Sequence, residues 1–220
     1  MGGEAGHVNN FVADIGLPDS TATRAATEAA QMAEPALLFR HSIRVFLFAS
    51  LIGRQRELDF DPCLLYVAAM FQDIGLTSAF RKSSRRFEVD GAEAVATFLA
   101  GHRFAPAECD EAWRAVALHM TFGIAKEMAP VTSLLAAGVE TDLFGTHFDK
   151  VLESERQDIV AKFPRGPRFK ERIVHVFARG MGHRPETAFG TVGADVLERI
   201  DPAYRRENFC GLILGSKWKD

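Results

Sequence analysis

The chain has 220 residues and a mass of 24.2 kDa, a size that one hydrophobic core can fill. With 47% hydrophobic and 25% charged residues, the composition excludes a disordered, collagenous or low-complexity chain. Lys and Arg number 26 against 29 Asp and Glu, a formal charge of -3, so no basic excess exists to neutralise a nucleic-acid backbone, and no nucleic-acid partner is expected.

The aromatic balance is unusual: 18 Phe stand against 2 Tyr and 2 Trp. A core built from rings without polar handles makes any buried polar residue in it a feature with its own reason. Cys63, Cys109 and Cys210 have no C-x-x-C spacing, which points to reduced structural thiols and a cytoplasmic location. The N-terminus lacks a cationic start leading into an apolar segment. No uncharged apolar run approaches the roughly 20 residues of a bilayer span, so no targeting segment and no membrane partner are expected.

Apolar residues recur at three- and four-residue steps, which predicts an all-α, single-domain fold over 19–220 behind a Gly-rich tail at 1–18. Asp19 and Ser20 offer caps for a helix over Thr21–Ala33 that stops before Pro35. A second helix over Ala36–Arg56 is too apolar for a surface helix and belongs at the centre. Asp61 caps a third helix with Pro62 at its first position, and Gly75 is expected as its left-handed stop. After the basic stretch Arg81–Arg86, Asp90 is expected to cap a fourth helix through Leu99. Further helices are predicted at Pro106–Met120, Pro130–Phe144 and Phe169–Met181, with short pieces near Val196 and Leu212. The segment 182–190 reads as a connection.

Four polar residues fall where the helical pattern wants apolar ones. His41 precedes Val45, Phe48 and Ile52 on the inner face of the second helix. Asp73 lies near the end of an apolar helix, where the negative end of the macrodipole disfavours a carboxylate; it needs a cation, either a metal or an arginine such as Arg44. His119 follows Ala112, Ala115 and Val116, and Asp142 follows Leu135, Gly138 and Val139. One shared site explains all four more economically than four separate accidents, because buried carboxylates and imidazoles cost least when they neutralise one another through a metal.

Phe39-Arg-His41-Ser-Ile-Arg44-Val-Phe46, followed by Met70-Phe-Gln-Asp73-Ile-Gly75-Leu-Thr77, resembles the HD-domain superfamily of metal-dependent hydrolases. Arg86-Phe87-Glu-Val-Asp90-Gly91-Ala, Ala117-Leu-His119 and Gly138-Val-Glu-Thr-Asp142-Leu-Phe-Gly145 resemble its cyanamide hydratase branch, and the likeness spans roughly residues 35–180. It implies an HD-type helical bundle with a metal on His41, position 72 with Asp73, and Asp142. Position 72 is Gln where the family pattern has His. A set tilted toward oxygen donors suits iron or manganese better than zinc, so one divalent transition metal, Fe, Mn or Zn, is expected. Three outcomes stay open: the metal persists, His119 replaces the missing nitrogen, or the site is empty. Whether Gln72 is natural or engineered is equally open.

The resemblance implies a metal-dependent hydratase or hydrolase of a small nitrile- or cyanamide-like substrate, with Asp73 and His119 catalytic and Gln72, Thr77 and Phe87 in the substrate pocket. Phe87 reads more readily as core packing, given 18 phenylalanines. One alternative is an HD-type phosphohydrolase anchoring phosphate on Arg81, Lys82, Arg85 and Arg86; the other is a non-catalytic ligand-binding relative with a degenerate metal site. A homo-oligomer stays open.

Overall fold

The computed structural model describes residues 11–218, and the apolar periodicity becomes ten α-helices within them. Helix α1 (Thr21–Ala33) starts at Ser20, whose hydroxyl accepts from the Thr23 amide while the Thr23 hydroxyl accepts from the Ser20 amide. Helix α3 (Pro62–Phe71) starts at Asp61, whose carboxylate accepts from the amides of Cys63 and Leu64, with Pro62 at the first helical position. Between them α2 (Ala36–Gln55) is the central element, with an unbroken buried run from His41 to Gly53. By length and composition α2 is apolar enough to cross a membrane, yet 83% of that window is buried by the rest of the fold.

Around α2 and α3 pack α4 (Phe87–Gly101), α5 (Pro106–Leu118) and α6 (Pro130–Phe144), with α8 (Phe169–Met181) and α9 (Val192–Ile200) closing one side. The expected bounds of α1, α6 and α8 match the structure residue for residue. Helix α10 (Phe209–Leu214) stands clear of the core, so Cys210 is exposed rather than a packed structural thiol; Cys63, Cys109 and Cys210 are all unbridged.

Elsewhere the structure departs from the sequence reading. Residues 11–18 are not simply tail: β1 (Phe11–Val12) pairs antiparallel with β2 (Ile15–Gly16), and Val12 is buried where β1 packs on α7 (Glu153–Lys162). Residues 1–10, which hold the N-terminal start and most of the expected tail, and 219–220 lie outside the described residues. Helix α7 escaped notice because only Ile159 is buried, leaving almost no apolar stripe to detect.

Gly75 is not a left-handed stop. It sits inside a 3-10 turn, Ile74–Leu76, where a Cβ would run into the backbone carbonyl of Phe87. Asp90 lies within α4 rather than capping it, because Arg184 draws its buried carboxylate inward.

The crossing of α2 and α6 has the same character as the Gly75 contact, with Gly138 facing the carbonyl of Val45 and the side chain of Ala49. Replacing a mid-helix Gly by Ala ordinarily gains about 1 kcal/mol in helix propensity. Here the added methyl has no space, and overpacking of a tight contact costs about 1–3 kcal/mol. Gly138→Ala is therefore expected to lower the urea midpoint rather than raise it.

Candidate metal centre

His41 is carried by the middle of α2, Asp73 by the turn just past α3, His119 by the residue just past α5, and Asp142 by the last turns of α6. Each is at most 2% exposed. The chain positions them with a second set of buried polar contacts. Arg184 donates to the Asp90 carboxylate, to the Gly75 carbonyl at 2.6 Å and to the Arg85 carbonyl at 2.7 Å, which pins the turn that carries Asp73 and Thr77.

The hydrogen bonds assign the ring tautomers. His119 Nδ1 lies 2.6 Å from the Val116 carbonyl, which only accepts, so Nδ1 carries the proton. His41 Nδ1 lies 2.6 Å from Asp142 Oδ2 and donates to it. Both imidazoles, when neutral, therefore turn a bare Nε2 lone pair toward Asp73: His41 Nε2 is 3.6 Å from Oδ2 and His119 Nε2 is 3.6 Å from Oδ1. These separations are too long for hydrogen bonds, and all four atoms are buried without a partner.

Among the described residues no three His, Cys, Asp or Glu side chains are drawn into a closed ligand set. What faces inward is an open one, with two nitrogen lone pairs against the two oxygens of one carboxylate. Such an arrangement repels itself unless a proton or a cation sits within it. Burial acts to lower the His119 imidazole, but the Asp73 carboxylate and the Val116 carbonyl carry it above its ordinary value. The donor set of two imidazoles and a carboxylate fits a divalent metal.

Asp142, expected as a ligand, is held in a buried network with His41, Arg44 and Arg165. It lies at the Nδ1 edge of the His41 ring, while Asp73 faces the Nε2 edge. Its oxygens accept from Arg44 Nε and Nη2, each at 2.8 Å, and from Arg165 Nη1 at 2.9 Å, so they are already engaged. Burial acts to raise its carboxyl, but the hydrogen bonds and charges of His41 and Arg44 outweigh this and hold it far below the usual carboxylate range. Arg44, one arginine offered as the alternative to a metal beside Asp73, pairs with Asp142 instead, and among the described residues no arginine pairs with Asp73.

Phe87 is buried with its ring edge-on to His119, the centroids 5.8 Å apart, and also against Phe177. It packs as core and walls the imidazole in one position. Gln72 is fully buried beside Asp73 with both amide atoms unpartnered.

A cavity of about 300 Å³ is lined on its buried side by Glu34, Leu38, Leu76 and Thr77; none of the four cluster residues lines it, but the charge of Asp73 acts on Glu34. Arg81, Arg179 and His183, all exposed, line it further out. The remainder of the basic stretch contributes little, since Arg85 pairs with Asp90 and Arg86 with Glu88. Glu34 was missed by the sequence reading. It is the C-cap of α1 ahead of Pro35, the same kind of position, a carboxylate at the negative end of a helix, that singled out Asp73. Burial first, and then the charge of Asp73, push its carboxyl well above the ordinary value, against a hydrogen bond from Ser42. A larger cavity of about 500 Å³ beside Phe122, Phe144 and Val196 is almost wholly apolar.

Residues 38–163, more than half of the chain and the span that carries all four cluster residues, match the HD domain family. The chain belongs to that family. HD domains are in general metal-dependent hydrolases that bind divalent metals, in keeping with the open donor set around Asp73. No curated protein matches the sequence.

Two variants test this electrostatic layout of the HD domain. Asp142→Asn removes the charge that neutralises buried Arg44 and is expected to cost roughly 3–5 kcal/mol in denaturant unfolding at neutral pH. Since the Asp142 carboxyl is depressed in the fold, its stabilisation is present above the ordinary value of 3.8 and lost as pH falls below it; the gap between variant and wild type should shrink in acid. Glu34 has the opposite sign. Its raised carboxyl penalises the fold as pH rises above the ordinary 4.5, so Glu34→Gln should raise the Tm at neutral pH and lose that advantage below 4.5.

Proposed function

We propose that this HD domain is a metal-dependent hydratase or hydrolase of a small, uncharged, nitrogen-containing molecule of the nitrile or cyanamide kind. The observation that carries the reading is the convergence of His41 Nε2, both Asp73 oxygens and His119 Nε2, all buried and unpartnered; Glu34, on which the charge of Asp73 acts, lines a small cavity. His41, Asp73 and His119 would hold the metal, with nitrogen from His119 making up for the Gln at position 72. A divalent ion bound there supplies Lewis acidity and lowers the pKa of a water.

The remaining chemistry belongs to the chain. Asp142 and Arg44 keep the His41 proton on Nδ1, so that Nε2 is the free donor. The Val116 carbonyl does the same for His119. Phe87 and the surrounding apolar core exclude bulk water, which strengthens every charge interaction within the site. The small cavity, lined mainly by Glu34, Thr77 and aliphatic side chains on its inner side, suits a small neutral substrate.

A phosphoester substrate is the second reading, favoured by Arg81, Arg179 and His183 on the outer part of the same cavity. Against it, an anion drawn inward meets the charge of Asp73 and finds no unpaired cation on the inner wall.

Assays with supplied Fe, Mn or Zn separate the two. Cyanamide should yield urea while mononucleotides and generic phosphoesters stay intact; phosphate release without urea overturns the first reading in favour of the second. Elemental analysis should find about one metal per chain. Asp73→Asn should lose that metal, whereas Arg81→Ala should keep it.

A further inference from the structure

Among the buried oxygens outside the cluster that lack a partner, Glu34 Oε1 and Thr77 Oγ1 belong to residues that line one cavity. They are 7% and 9% exposed, they come from opposite sides of α2 in the sequence, and they line the same 300 Å³ cavity. The second oxygen of Glu34 has only a long contact, 3.4 Å, from the Ser42 hydroxyl. Leaving a buried acceptor or donor unsatisfied costs a fold about 1–3 kcal/mol. Both atoms are closed off as they stand, so a ligand filling the cavity offsets this cost once the two side chains rotate toward it.

The chemistry of that wall defines the ligand. A carboxyl held toward its neutral form both donates and accepts, and a hydroxyl does the same. Such a pair matches a molecule that offers N–H donors and a nitrogen or oxygen acceptor within a few atoms, as cyanamide, urea and simple amides do. The cations facing the cavity, Arg81, Arg179 and His183, are exposed, so none of them is buried on the inner wall as a counter-ion for an anionic group.

We propose that Glu34 and Thr77 form the subsite that binds the N–H-bearing end of a small neutral substrate and presents its reacting carbon toward Asp73. This rests on the hydratase reading for its catalytic consequence, but the binding site itself is testable apart from turnover.

The test uses the metal-loaded protein with Glu34→Leu, Glu34→Gln and Thr77→Val. The probes are urea, followed by ligand-observed NMR, and the pair cyanamide and N,N-dimethylcyanamide, followed by product release. Wild type should bind urea, and Glu34→Leu should weaken that binding about tenfold or more, with Thr77→Val acting in the same direction. Glu34→Gln, which keeps a donor and an acceptor, should retain most of the affinity. Wild type should prefer cyanamide over its dimethyl analogue, which lacks the N–H groups, by about tenfold or more, and Glu34→Leu should erase the preference. The Tm of Glu34→Leu and Thr77→Val should hold or rise, because each removes an unsatisfied polar atom. A merely structural role predicts a fall.

Absence of urea binding to wild type overturns the subsite, as does urea affinity unchanged within about twofold in both Glu34→Leu and Thr77→Val. If wild type hydrates neither cyanamide, the hydratase reading fails while the urea comparison still decides the subsite.

Discussion

The buried chain from Arg44 through Asp142 to His41 is the interaction on which the site depends. It joins α2 to α6 where the two helices cross most closely, over Gly138. Arg44 neutralises Asp142, and Asp142 fixes the His41 tautomer and ring orientation. Without the arginine the carboxylate would be an uncompensated charge in an apolar core; without the carboxylate the imidazole would have no reason to turn Nε2 toward Asp73. Arg165 adds a second cation from the far side, and both guanidinium groups lie over the Phe169 ring, so α8 is tied into the same arrangement.

Two kinds of buried polar group follow from this. Asp142, Arg44, Asp90 and Arg184 are paired and pin elements together. His41 Nε2, Asp73 and His119 Nε2 lack partners and face one another, and Glu34 Oε1 and Thr77 Oγ1, also without partners, belong to residues that line one cavity. A core as rich in phenylalanine as this one offers such atoms few incidental hydrogen bonds. The paired groups spend their charge on structure, and the unpartnered ones keep theirs available for a metal and a substrate.

Much of the architecture was legible along the chain because helical periodicity and end signals are local. Ser20, Asp61, Pro62 and Pro130 mark helix starts that the structure reproduces. Most of what escaped depended on a partner distant in sequence. Asp90 looks like a cap until Arg184, 94 residues away, claims it. Gly75 looks like a left-handed stop until the backbone of Phe87 crowds it, and α7 has too thin an apolar stripe to announce itself.

At the site, residue type on an apolar helical face was enough to pick out His41, Asp73, His119 and Asp142, since a polar side chain inside a phenylalanine core is conspicuous by itself. Their division of labour was not readable. One edge of the His41 ring meets Asp142 and the other meets Asp73, and which carboxylate receives Arg44 is settled by how α2 and α6 cross. Glu34 became part of the site only when the end of α1 was laid beside Thr77. Sequence determined the fold class and singled out His41, Asp73, His119 and Asp142, because periodicity and polarity are properties of neighbouring residues. Tertiary structure decided which of them neutralise one another and which stay open, because pairing depends on distances between helices that the chain order does not contain.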